Sequence, residues 1–122
     1  MALLMLDEYM ELIRKPSKKE TQIINYLVLK AHYFKDGWNI NLRVTEMNDG
    51  MGSLLIIPQE QINKKCLFKR QISELKFKDI DNIDVIISLN IDQEGFLFEL
   101  DIWKMNYEKI ISFENLNKLL EY

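Results

Sequence analysis

Cysteine is almost missing from this chain: Cys66 stands alone. One thiol forbids an intrachain disulfide, and the expected setting is reduced and cytoplasmic. Glycine and proline are also scarce, at 4 and 2 residues, which argues against disorder or collagen-like repetition. Histidine occurs once, as His32, so a zinc site built from several Cys and His ligands lacks its donors. No apolar run approaches the roughly 18 residues of a membrane span. The stretch Met1–Leu6 is apolar but has no cationic region before it, and Asp7 and Glu8 interrupt it. A signal-peptide core needs about 7–15 apolar residues, so no export is expected. Positive charge is in deficit too. Lysine and arginine total 16 against 19 carboxylates, a net charge of -3. That disfavours direct binding to nucleic acid, which requires a cationic footprint, and binding to anionic lipid surfaces.

What is present is an ordinary globular composition: 122 residues, 48% apolar and 29% charged. One core is affordable at this size, so residues 1–122 read as a single domain. Apolar residues at 3, 4, 6, 9, 10, 12 and 13 predict a short amphipathic helix from Leu3 to Arg14, stopped by Pro16. Ser17 and Glu20 have capping-box spacing. A second helix therefore starts there, carries Ile23, Ile24, Leu27, Ala31 and Phe34 on one stripe, and closes at Gly37.

Beyond Gly37 the period drops to two. Ile40, Leu42 and Val44 alternate with polar neighbours, and an Asn48-Asp49-Gly50 turn leads to an apolar strand from Ser53 to Ile57. These two strands should form a hairpin. Residues 59–65 read as a loop. Residues 66–78 read as either a bulged strand or a helical turn, with Phe68, Ile72, Leu75 and Phe77 favouring the strand. Ile83–Ile91 and Phe96–Trp103, separated by Asp92-Gln93-Glu94-Gly95, form the clearest hairpin. Val85, Ile87, Leu89 and Ile91 share one face with Phe96, Phe98, Leu100 and Ile102. Ser88, Asn90, Glu99 and Asp101 take the other. A last helix is expected within Phe113–Leu120. The fold class is thus α+β: a mainly antiparallel sheet of about five strands, with N-terminal helices on one face and a short C-terminal helix.

Chemical motifs are few. His32 has no acidic partner at the next helical turn, and no motif surrounds Cys66. Asp79, Asp81 and Asp84 lack the glycine and glutamate of an EF-hand loop. Gly50 and Gly52 precede a strand rather than the Lys-Ser/Thr and helix of a phosphate loop. The expectation is no enzyme, no cofactor and no metal. One feature is less ordinary. From Asp79 to Trp103 there is no lysine or arginine, while Asp79, Asp81, Asp84, Asp92, Glu94, Glu99 and Asp101 all fall there. On one surface they would make a negative patch that steers a cationic partner; otherwise they are a solvated face that keeps a sheet edge soluble. Trp103 shares the polar face by alternation, either as an exposed interface anchor or covered by the C-terminal helix.

Two segments carry a resemblance. Met47-Asn48-Asp49-Gly50-Met51-Gly52-Ser53-Leu54, and the stretch from Phe77 ending in Phe98-Glu99-Leu100-Asp101-Ile102-Trp103-Lys104, resemble a small bacterial family of unknown biochemical function. Its members pair a "DGGMGS"-like turn with an "LFELDIWK"-like strand; here Asn48-Asp49-Gly50 stands in place of a double glycine. The lead-in Arg14-Lys15-Pro16-Ser17 before a helix is similar as well. Such small acidic proteins look like the immunity proteins of contact-dependent growth inhibition. The resemblance implies a protein that binds and neutralises a cognate toxin domain, frequently a basic nuclease, and carries over no catalytic residue. The alternative class is a non-catalytic module that binds a small ligand or forms a homodimer. A third is an enzyme using His32 or Cys66.

Overall fold

The computed structural model describes residues 12–33, 35–57 and 67–121. Helix α1 spans Lys18–Ala31 and opens with the capping box: Ser17 Oγ accepts the Glu20 N–H at 3.1 Å, and Glu20 Oε1 accepts the Ser17 N–H at 2.7 Å. Its stripe Ile23, Ile24, Leu27 and Val28 is buried.

The helix ends earlier than the glycine signal implied. His32 already adopts the left-handed conformation (φ 53, ψ 48), its N–H donating to Leu29 O at 3.2 Å while that of Tyr33 donates to Val28 O at 3.2 Å. A tertiary anchor favours this early exit, because the Tyr33 hydroxyl donates to Gly95 O at 2.8 Å. Gly37 (φ 73) instead opens a turn in which the Ile40 N–H meets Gly37 O at 3.1 Å. Ile40 is accordingly exposed in that turn and not in a strand.

Residues 3–11 of the expected first helix lie outside the described residues. Its expected end, Arg14, is not helical. Arg14 pairs with Val44 as an antiparallel bridge, with N–H to O distances of 2.9 and 2.8 Å. The open edge of the sheet satisfies that backbone in place of a helical turn.

Five antiparallel strands form the sheet: β1 Arg43–Glu46, β2 Leu54–Ile57, β3 Phe68–Lys78, β4 Asp84–Asp92 and β5 Leu97–Lys104, in the order β1-β2-β5-β4-β3. The expected β1–β2 hairpin is present. In β3 the chain is a strand with two register shifts, between Phe68 and Arg70 and between Gln71 and Ser73. The loop expected at 59–65 lies outside the described residues.

One sheet face holds the core. Val44, Leu54, Ile56, Leu75, Phe77, Val85, Ile87, Leu89, Leu100 and Ile102 are buried there together with the α1 stripe. In β5 the expected alternation is wrong by one residue at its start. A register shift after Asn90 sets Ile91 opposite Leu97, so Leu97 is buried while Phe96 and Phe98 are only half-buried. A bulge of this kind changes which side chains reach the core without ending the strand. Helix α2, Glu114–Leu120, inserts a fully buried Leu116. The Asn115 amide holds it by donating to Lys78 O at 2.7 Å, and Lys19 Nζ donates to Asn117 Oδ1. The molecule is an α+β fold with one antiparallel sheet, α1 on one face and a short C-terminal helix.

Candidate functional site

The acidic segment divides into three places. At the β3–β4 turn sits an ionic cluster around Lys104. Strand parity puts Lys104 on the core face after Leu100 and Ile102, opposite Val85, and its side chain is 1% exposed. A buried ammonium needs partners. Lys104 Nζ finds Asp79 Oδ2 at 2.9 Å and Asp81 Oδ2 at 2.6 Å. Burial pulls its pKa down, but the hydrogen bonds to Asp81 and Asp79 win and raise it. Asp79 is equally enclosed, with a side chain 0% exposed. Desolvation would push its pKa up. The N–H of Ile111 (2.7 Å), the Lys104 ammonium and the N–H groups of Ile80 (2.8 Å) and Ser112 (3.0 Å) outweigh this and hold it at about 2. Asp79 is therefore no surface charge, contrary to the patch inferred from the sequence. It fastens the segment entering α2 onto the sheet.

The remaining turn carboxylates also serve the fold. Asp84 is ion-paired with Lys78 at 3.0 Å and Lys76 at 4.0 Å. Both lysines come from β3, just outside the cation-free segment, and a reading of that segment alone misses them. Asp92 is buried at the β4–β5 turn, where Oδ1 accepts the N–H groups of Glu94 at 2.8 Å and Phe96 at 3.0 Å. It too drops out of the surface patch. Glu94 is exposed in the same turn. From Asp84 to Asp92 the strand covers about 26 Å at roughly 3.3 Å per residue, so the two turn clusters stand at opposite ends of β4.

Between them, on the sheet face turned away from α1, lies the third place. Asn90 pairs with Glu99, Ser88 with Asp101 and Ile86 with Trp103. Ser88 and Asn90 are nevertheless buried, at 8% and 6% exposure, so this face is not simply wet. Glu99 is half-buried and accepts the Asn90 amide at 2.7 Å. Its pKa is raised, first by desolvation and then by Asp101; the Asn90 hydrogen bond opposes the rise. Asp101 is exposed. Trp103 is half-buried, its ring 5.7 Å from that of Tyr107 in a tilted contact. Of the eight residues singled out by the sequence, the structure keeps Glu99, Asp101 and Trp103 together on one face.

His32 caps α1 through its backbone, and Cys66 lies outside the described residues. Among the described residues, no group of three or more His, Cys, Asp or Glu side chains could hold a metal ion. None of their helices is long and apolar enough to cross a membrane.

These features define a small α+β domain with an antiparallel sheet whose second face carries paired carboxylates beside an aromatic residue. Residues 13–114 match the family model described as a domain of unknown function, DUF6984, and the chain belongs to that family. No curated protein and no solved structure matches it.

Proposed function

We propose that this protein acts by binding, without chemistry of its own, and that it is an immunity protein whose partner is the basic toxin domain of a contact-dependent growth inhibition system. One observation carries the reading: Glu99 and Asp101 stand side by side on the outer sheet face, and among the described residues neither is ion-paired with a lysine or arginine. Burial is the first cause of the raised Glu99 pKa, and repulsion from the adjacent Asp101 carboxylate adds to it. A lysine or arginine from a partner relieves that repulsion, so the face favours a cationic macromolecule and speeds its encounter. Trp103 and Tyr107 supply aromatic surface beside the charges, the composition of an interface centre rather than of a solvated rim.

The reading requires a toxin domain encoded immediately upstream, and the test is co-expression with it. Cells carrying that domain should die without this protein and survive with it; survival of cells carrying the toxin domain alone would overturn the immunity reading. The surface is tested separately by reversing both charges, Glu99→Lys with Asp101→Lys. The proposal requires at least about a hundredfold loss of toxin affinity, the scale of like-charge contacts replacing two ion pairs.

A further inference from the structure

A different part of the molecule has the opposite charge. Thr21 and Asn25 stand four residues apart on one face of α1. Together with Lys15, Trp38, Asn39 and Arg43 they line a cleft of about 400 Å³. That volume lies in the range of about 300–1,000 Å³ typical of small-molecule sites. Among the described residues its lining includes two cations, Lys15 and Arg43, and no carboxylate, on a chain whose net charge is -3. Among the described residues neither cation is ion-paired. Trp38, half-buried against the core, forms an aromatic wall. The left-handed Gly37 (φ 73) and the Gly37–Ile40 hydrogen bond shape the turn that carries it. Asn25 and Asn39 add amides that both donate and accept.

We propose that this cleft binds a nucleoside monophosphate. Each wall matches one part of such a ligand. The indole offers a flat face for the base. The two cations match a phosphate monoester carrying about -1.5 to -2 charges near neutral pH, with the Arg43 fork suited to two of its oxygens. The asparagine amides suit the hydrogen-bonding edge of the base. The inference is independent of the toxin-binding reading, because the two surfaces share no residue.

The test is calorimetric titration of the full chain with AMP and with GMP. Inorganic phosphate and adenosine serve as partial ligands. Saturable 1:1 binding is expected for at least one nucleotide, with Kd between about 10 μM and 1 mM. Phosphate alone and adenosine alone should bind at least about tenfold more weakly, because each uses only one wall. Arg43→Gln and Lys15→Gln, at exposed or half-buried positions and shown by circular dichroism to remain folded, should each weaken nucleotide binding about tenfold. No saturable heat or thermal-shift response to either nucleotide up to about 10 mM overturns the proposal. So does phosphate binding as tightly as the nucleotides, which would make this a simple anion site. Unchanged affinity in both variants does the same.

Discussion

Lys104 Nζ lies 2.9 Å from Asp79 Oδ2, and water reaches almost none of either side chain. This contact joins the last strand to the β3–β4 turn. Through the backbone N–H groups of Ile111 and Ser112, which donate to the same carboxylate, it also fixes the approach to α2. A single carboxylate thereby organises one end of the sheet. Breaking such a pair from one side is far more damaging than removing both charges, because the survivor is left charged and enclosed.

Lys104→Met, which leaves Asp79 enclosed without a cation, should therefore lower the melting temperature by roughly 10–20 °C; Asp79→Asn should cost about half as much, because Lys104 keeps Asp81 at 2.6 Å. The double variant should melt well above the sum of the two losses, since contacting residues are strongly coupled. Thermal melts of the three proteins at neutral pH check this. Additive losses would show that Asp79 and Lys104 act independently.

The same carboxylate predicts an acid limb. Asp79 titrates near 3.8 when exposed and at about 2 in the folded chain. The folded value is the lower one, so its contribution to stability is complete above the unfolded pKa and fades as pH falls toward 2. Lys104 is the mirror case. Its folded pKa is raised above 10.5, so its share persists below that pH and is lost as pH climbs through the folded value. Denaturant melts between pH 2 and 5 should show a shallower decline of stability for Asp79→Asn than for the unaltered chain. Equal slopes would contradict the assignment.

How far could these features be read from residues alone? The capping box at Ser17 and Glu20, the β4–β5 hairpin and the core parity of Val85, Ile87, Leu89 and Ile91 were legible, because each depends on local spacing. The helix end at His32 was not. It depends on the Tyr33 hydroxyl reaching Gly95, a contact 62 residues away in sequence. Nor was the β5 bulge, which replaces Phe96 and Phe98 by Leu97 in the core. The acidic run was misleading for a related reason. Counting charges along the chain ignores cations brought in from neighbouring strands, as Lys78 is to Asp84. One signal was available: extending the Leu100–Ile102 parity by two residues puts Lys104 on the buried face, and a buried lysine calls for carboxylates close by.

Glu20 joins local and distant structure, so its removal should cost more than loss of the cap alone. Its carboxylate accepts the Ser17 N–H and a two-pronged contact from Arg14, at 2.8 and 2.9 Å. Chiefly through the Arg14 hydrogen bond, its pKa is lowered. Ser17→Ala should destabilise by about 1 kcal/mol, as cap removals do. Glu20→Ala should cost about 2 kcal/mol, since it also frees the arginine that pairs with β1. Urea midpoints at constant slope measure both. A smaller loss for Glu20→Ala than for Ser17→Ala would mean that the Arg14 contact stabilises nothing.

Leu116 tests whether α2 belongs to the cooperative unit. It is the one fully buried residue of a seven-residue helix, too short to be stable unsupported. Leu116→Ala should cost roughly 2–5 kcal/mol. If α2 were a separate appendage, the main transition would be unaffected; a shift of the whole transition, followed by far-ultraviolet dichroism, is the expected result.

Glu99 offers a test in which stability and binding move in opposite directions. Its folded pKa is raised by burial and by Asp101. Between the unfolded and folded values the native state holds more protons, so stability falls as pH rises through that window and the ionised side chain is a liability at neutral pH. Glu99→Gln removes the charge and keeps an oxygen able to accept the Asn90 amide. The melting temperature at pH 7 should rise by roughly 1–3 °C, and the gain should vanish at a pH low enough to protonate Glu99. If the outer face serves a cationic partner, the same substitution should weaken that complex about tenfold or more. A residue retained at a cost to the free molecule and used in the complex is what a binding surface requires. Loss of stability in Glu99→Gln would show instead that its charge supports the fold. A gain in stability with no loss of affinity would leave the carboxylate without a role at the interface.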